Sequence, residues 1–308
     1  VRQVYETDMK VVDRILRRLG YVRREGGRVR RRGYVAAAID RLTADWRPTL
    51  LSADGELRTS LKTLRGRSRD LAMNNDYMRR YLQMVQANIV GAEGVTLQMQ
   101  VRDDPRPGTP GPGTVDVFAS RLIENAWYEW AERKNASVDG RLSWTEIQHL
   151  IVTSVARDGE ILIRLVRNAD NPFGFALQLL EADYLVEESW TAQNGNRVRM
   201  GVELDAWERP ITYWLHASHP GDSFYTASYD RATRFPASEI VHPYIVERAG
   251  QTRGVPWAVT AMTRLKMLHA YEEAEVVAAR IAACKMGFFK KRLGEGTEYT
   301  GDTQEDGV

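Results

Sequence analysis

Apolar and polar positions along this chain follow two periods, and the changes of period mark where helices give way to strands. Val11, Ile15 and Leu19 fall four apart, which predicts a basic amphipathic helix from Tyr5 to Leu19, ended by Gly20. Helices are also predicted from Ser60 to Met73 and from Asn75 to Val90, the second closed by Gly91. Gly94 to Val101 alternates apolar and polar residues, the pattern of a half-buried strand. Val115 to Lys134 returns to helix, with Phe118, Leu122, Ala126 and Trp130 on one face. Ser143 to Ala156 is a further helix, opened by a Ser143/Glu146 capping box. After the Asp158-Gly159 turn the period is mainly two. Strands are predicted at Glu160–Val166, Phe175–Leu180, Arg197–Leu204, Ile211–Leu215 and Glu239–Ile245, separated by Asn-Gly and Arg-Pro turn signals.

The longest helix signal comes next. Pro256 suits a first helical position, where the missing N–H costs nothing. From Ala258 to Lys285 there is no Gly or Pro, and eight residues are Ala. Ala270, Ala274, Val277, Ile281 and Cys284 share one face of a rod on the order of 40 Å long. Small residues along a seam let another helix approach closely. The pattern fits a core helix of an α+β domain, or a rod that packs against a partner such as a second copy. Asp103 to Gly113, DDPRPGTPGPG, reads as a loop or linker. The last fifteen residues hold five acids, four glycines and no base, a composition for a solvated loop.

With 308 residues the chain is long enough for one large or two modest domains. Its 43% hydrophobic and 27% charged residues, with a mean hydropathy of −0.43, are an ordinary globular balance. No apolar run approaches the roughly 20 residues that cross a bilayer, so no membrane partner is expected. The first residues are polar and basic, so no secretory signal is expected either. The single cysteine, Cys284, excludes an intramolecular disulfide framework and fits a reducing cytoplasm. The net charge of +2 hides a polarity. Residues 1–80 carry 20 Lys and Arg against 10 Asp and Glu, whereas residues 81–308 carry 23 against 31. The densest basic block is Arg14, Arg17, Arg18, Arg23, Arg24, Arg28, Arg30, Arg31 and Arg32. Such a block can neutralise phosphates, dock on an acidic partner or stand as a solvated arm. Few aromatics are interleaved to stack on bases.

Candidate chemistry is sparse. The five histidines (149, 216, 219, 242 and 269) are scattered, and neither a second Cys nor a nearby carboxylate completes a metal set at His216 and His219. Asp158-Gly159-Glu160 pairs two carboxylates, but at a turn into a strand, where adjacent side chains diverge. There is no G-x-x-x-x-G-K-[ST] phosphate loop and no G-x-S-x-G elbow. Cys284 reads as a packed thiol, and Trp127, Trp130 and Trp144 as core or interface anchors. No catalytic, metal or cofactor site is predicted, and the chain does not read as an enzyme.

Several motifs in order nevertheless resemble those of a known family. Tyr34-Val35-Ala36-Ala37-Ala38 with Arg41 and Trp46 opens the set. Arg65-Gly66-Arg67-Ser68-Arg69-Asp70-Leu71 with Asn74-Asn75 follows, then Asn88-Ile89-Val90-Gly91 with Gly94-Val95-Thr96-Leu97-Gln98. Asp158-Gly159-Glu160 comes next. Arg253-Gly254-Val255-Pro256-Trp257 leads into Tyr271-Glu272-Glu273-Ala274-Glu275 and Ala278-Ala279-Arg280. From about Tyr34 to Phe289 this series resembles the lambda-type portal proteins of tailed bacteriophages.

The resemblance implies an α+β portal fold: a mixed helix and sheet wing, then a long stem helix. Residues 1–33 would be a basic N-terminal helix and arm, 34–250 the wing, 256–285 the first stem helix and 286–308 the start of the clip. It implies a ring, usually of twelve copies, at a capsid vertex of the virion, assembled in the bacterial host cytoplasm. Double-stranded DNA would pass through the ring during packaging and ejection. Large terminase, major capsid or scaffold proteins and head-tail connector proteins are the implied partners. Candidate channel residues are Arg264, Lys266, Glu272, Glu273, Glu275, Arg280 and Lys285. Family members continue past this point with a second stem helix and a crown, so the chain is expected to be a fragment or a truncated product. The alternative reading is a sequence-independent DNA-binding protein that uses the arginine block, with steep salt dependence.

Overall fold

The computed structural model describes residues 50–103, 113–222 and 232–284. The chain divides into two compact units, Val1–Leu50 and Leu51–Val308, and the architecture that follows is that of the second. The predicted Tyr5–Leu19 helix, the arginine block, the Asp103–Gly113 loop and the acidic tail fall wholly or largely outside the described residues.

Helix α1, Ala53–Asn74, starts a full turn and more before the sequence expectation, because Ser52 caps it by accepting from Gly55 N at 3.2 Å. Asn75 ends α1 and caps α2, Asp76–Ile89, accepting from Met78 N at 3.0 Å. One residue thus turns the chain between the two helices. Helix α3 spans Val117–Trp130, a four-residue α4 spans Arg133–Ala136, and α5 runs Trp144–Asp158. The predicted capping box at Ser143 and Glu146 is present with both reciprocal bonds. Arg133 adds a fork to the Glu146 carboxylate. That guanidinium, and then the Ser143 backbone, depress the Glu146 pKa to about 2.

Among the described residues eight strands follow, all paired antiparallel: β1 Leu162–Arg167, β2 Phe175–Leu180, β3 Trp190–Thr191, β4 Arg197–Arg199, β5 Val202–Leu204, β6 Pro210–Leu215, β7 Thr233–Pro236 and β8 Ile240–Val241. They form a three-stranded sheet, β2-β1-β8, and a five-stranded meander, β3-β4-β5-β6-β7. Leu162, Leu185, Val202, Leu204, Tyr213, Leu215 and Ile240 pack as a core from both sheets. On the smaller sheet, Trp130, Ala136, Ile147, Ile163 and Leu177 form a second core, with Trp127 and Trp144 against it. The tryptophans are core anchors, with ring centroids 5.0 to 5.7 Å apart.

Three strand expectations need correction. Residues 94–101 lie extended but join no ladder; their backbone donors are satisfied by helix side chains. Val95 N donates to Gln148 Oε1 at 2.7 Å, Met99 N to Glu124 Oε1 at 2.9 Å and Val101 N to Ser120 Oγ at 3.1 Å. The predicted Arg197–Leu204 strand is a hairpin. Met200 and Gly201 both take positive φ, 46° and 84°, and a Cβ on Gly201 would meet Val186 O at 2.6 Å. The predicted Glu239–Ile245 strand shortens to β8 plus an isolated bridge from Glu160 to Tyr244. The face shared by Phe118, Leu122, Ala126 and Trp130 on α3 turns outward: Phe118 is 80% and Leu122 62% exposed, and only Trp130 at its end is buried.

Because the Ser143 cap satisfies donors at the root of α5, Ser143→Ala should lower stability by about 1 kcal/mol with an unchanged m-value in urea unfolding. A change below about 0.3 kcal/mol would show that the capping box is dispensable.

Candidate functional site

The three motif segments meet at one buried point, although they lie about a hundred residues apart in sequence. Glu160, at the start of β1, is completely enclosed. Its Oε1 accepts from Arg253 Nε at 2.8 Å and from Arg65 Nη2, and its Oε2 accepts from Gly254 N at 2.7 Å. His242 Nε2 lies 2.9 Å from Oε2; a carboxylate only accepts, so this nitrogen carries the proton. Arg253 is equally buried and reaches the carbonyls of Met200 and Ala182 at 2.7 and 3.1 Å. One carboxylate therefore fastens α1, β1, the β8 end and the lead-in to the last helix.

Beside it, Asp158 accepts from Arg69 Nε at 2.9 Å and from Arg157 Nη2 at 2.7 Å, while Arg69 also reaches Asp183 at 2.5 Å. Between the acids, Gly159 caps α5 at φ 92°. A Cβ there would stand 2.5 Å from the Val255 carbonyl carbon, and a Cβ on Gly254 would strike Gly159 O. The Gly159 and Gly254 backbones approach too closely for any side chain. Burial alone would raise the Glu160 pKa, but the Arg253 and Arg65 charges and the His242 bond outweigh it and hold the carboxyl well below the usual range. The same contest lowers Asp158, with Arg157 and Arg69 as donors. Burial lowers Arg65, against the pull of Glu160.

From this anchorage the chain turns through Trp257, whose N–H donates to Ala156 O at 3.0 Å, and enters α6, Met262–Ala283. Pro256 is thus not the first helical residue; the predicted helix starts six residues later. Met262 and Ala258 join Leu71, Met78, Leu82 and Ala156 in a third core. Beyond that first turn α6 leaves the core. Met262 is its only buried residue, and Met267, Leu268, Tyr271, Val276, Val277 and Ile281 are exposed. At about 1.5 Å per residue its 22 residues span roughly 33 Å. Tyr77 OH donates to Glu272 Oε1 at 2.6 Å, a tie from α2 to the middle of α6.

The sequence-predicted residues separate accordingly. Arg264, Lys266, Glu273, Glu275 and Arg280 stand exposed along α6, and Glu272 is half-buried against Tyr77. Ala270, Ala274, Val277, Ile281 and Cys284, the predicted seam, are all exposed. Lys285 and the arginines of residues 14–32 lie outside the described residues. Asp158 and Glu160 flank the predicted turn, and their carboxylates go to different arginines; what the sequence did not show is that both are buried. The expectation that His219 lacks a carboxylate neighbour is corrected. Glu181, Asp183 and His219 bring ligand-type atoms within 4.8 Å of one another, but Arg69 already sits among them, 3.4 Å from Glu181. The missed residues were Arg65, Arg69, His242 and Arg253. Arg65, Arg69 and Arg253 stood within the quoted motifs, and His242 was the one polar side chain in the run 240–243.

Comparison with known proteins places these features. The family description "phage portal protein, lambda family" matches residues 39–307. A "probable portal protein" of Halomonas phage phiHAP-1 is 35% identical over 279 residues, covering 89% of this chain and 52% of its own length. The "portal protein" of Escherichia phage N15 is 24% identical over 249 residues, covering 77% of this chain and 45% of its own length. "Portal protein B" of Escherichia phage lambda is 23% identical over 243 residues, with the same coverage. The chain spans about half the length of the curated relatives it matches.

Two outcomes follow from the buried carboxylate. Arg253→Met leaves Glu160 short of a partner and should cost about 3–5 kcal/mol in denaturant unfolding, whereas Arg264→Met on the exposed helix should stay within about 0.5 kcal/mol. Glu160 has a lower pKa folded than unfolded, so as pH falls the unfolded chain takes up its proton first. Its stabilisation is full above about pH 4.3 and drains away as pH drops toward the folded value. The stability gap between wild type and Glu160→Gln should therefore shrink on acidification; a gap that widens would contradict the assignment.

Proposed function

The chain belongs to the lambda family of phage portal proteins, and we propose that it is a ring-forming portal subunit whose α6 is a stem element of a DNA channel. The observation that carries this is the state of α6. A helix anchored by a fully buried ion network, yet bare of cover for most of its length, needs other chains to bury Met267, Tyr271, Val276, Val277 and Ile281. Copies of the same helix side by side supply that cover, and the alanine-rich seam allows close approach.

In this reading, residues 34–250 are the wing, 256–285 the first stem helix and 286–308 the start of the clip. The charges Arg264, Lys266, Glu272, Glu273, Glu275 and Arg280 are divided between neighbouring copies and the lumen. The three glutamates repel phosphate and keep double-stranded DNA from adhering while it moves. The protein's role is structural and non-enzymatic: it conducts DNA into and out of the capsid and offers docking surfaces to terminase and head-tail connector proteins. As a virion component it would occupy one capsid vertex, in a ring of about twelve, the number usual for the family resembled.

Negative-stain microscopy of the complete open reading frame tests the reading. Rings with a central channel are expected. Monomers or irregular aggregates across salt and concentration, together with tight, salt-sensitive duplex binding, would instead favour DNA binding through the arginine block.

A further inference from the structure

A ring of more than two copies cannot be built from one self-complementary patch; each copy must present two different surfaces that fit each other. Two surfaces among the described residues stand out. The first is Trp207, 81% exposed at the tip of the β5–β6 turn and absent from every core. The turn that carries it is tightly built. Asp205 Oδ1 accepts from Trp207 N at 2.7 Å and Arg209 N at 2.9 Å, and Asp205 N donates to Arg209 O at 3.0 Å. Glu208 takes a positive φ of 62°, and its N–H donates to Asp205 O at 3.1 Å. Arg199 ties the turn to the body, donating to Glu208 Oε1 at 2.8 Å and to Asp54 Oδ2 at 3.4 Å. An indole held outward on a fixed turn loses little freedom when buried, which is how aromatic anchors in interfaces act.

The second surface is a groove of about 370 Å³ between α1 and the start of α6. Leu64, Leu71, Met262 and Met267 line its apolar part. That is room for an indole, which buries roughly 150–250 Å². Arg67 and Lys266 stand on its rim, and neither pairs with a carboxylate among the described residues. Asp70, also on the rim, accepts from Asn74. The incoming turn carries Asp205, Glu208 and Arg209, a net charge of −1, and the rim carries Arg67, Lys266 and Asp70, a net charge of +1, so the two are opposite in sign. A guanidinium such as that of Arg67 also stacks well on an indole face.

We propose that Trp207 of one copy fills the α1–α6 groove of the next, so that each copy grips the root of its neighbour's projecting helix. The inference rests on the ring reading and assigns it a specific contact. The test uses the complete open reading frame with Cys284 and any other native cysteine replaced by Ser. Ala206→Cys and Thr263→Cys are introduced together, which leaves Trp207 in place, and a short bismaleimide is added. A covalent ladder of dimers, trimers and higher species is expected only in the double variant, and Trp207→Ala should cut it about tenfold without altering the melt of the unassembled chain. Rings without the ladder would overturn this contact and leave the ring reading intact. A ladder without rings would keep the contact and overturn the ring reading. Neither ladder nor rings would overturn both.

Discussion

The fold depends on a single carboxylate removed from water. Glu160 is fully buried, and a lone charge in that position would be prohibitively costly. Two arginines, a histidine and a backbone amide compensate it, drawn from three parts of the chain: Arg65, His242 and the adjacent Arg253 and Gly254. Such a cluster adds little net stability over a well-packed apolar one, but it tolerates no missing member. It therefore acts as a register: α1, β1, the end of β8 and the lead-in to α6 are held in one arrangement or lose the network together. The bare contact between Gly159 and Gly254 serves the same junction, bringing the helix lead-in closer than side chains would allow.

This junction explains how a helix with so little cover can keep a defined direction. Only the first turn of α6 is in the core, through Met262 and its neighbours, and the Tyr77–Glu272 bond is an exposed tie that water competes for. The stiff element is the root. Under the proposed ring, a buried anchorage below an uncovered helix is what a subunit covered by its neighbours requires. The outward faces of α3 and of the β5–β6 turn fit the same picture: apolar surface remains after the chain's own core is filled.

Much of this was legible in the sequence wherever the signal is local. The Ser143/Glu146 capping box, strand β2 from Phe175 to Leu180 and the tryptophan anchors all follow from spacing and composition within a few residues. The rest was not legible, because the deciding partner is distant or covert. Gly94 to Val101 alternates as a strand does, yet helix side chains take its hydrogen bonds. Phe118 and Leu122 share a face as predicted, but periodicity cannot say that the face looks outward. Met200-Gly201 is not a familiar turn pair, and only the approach of Val186 shows why glycine is needed. Above all, Arg65 and Arg253 meet Glu160 from 95 and 93 residues away, so Asp158-Gly159-Glu160 reads alone as nothing more than a turn.

The central claim is that α6 is rooted within one chain but covered only by others. Amide hydrogen exchange, followed in the dilute monomer and in the self-associated state, measures both halves at once. The account predicts slow exchange for residues 158–165 and 251–257 in both states, with residues 266–283 exchanging fast when dilute and slowing strongly on association. Slow exchange of residues 266–283 in the dilute monomer, or fast exchange that persists after association, would contradict it.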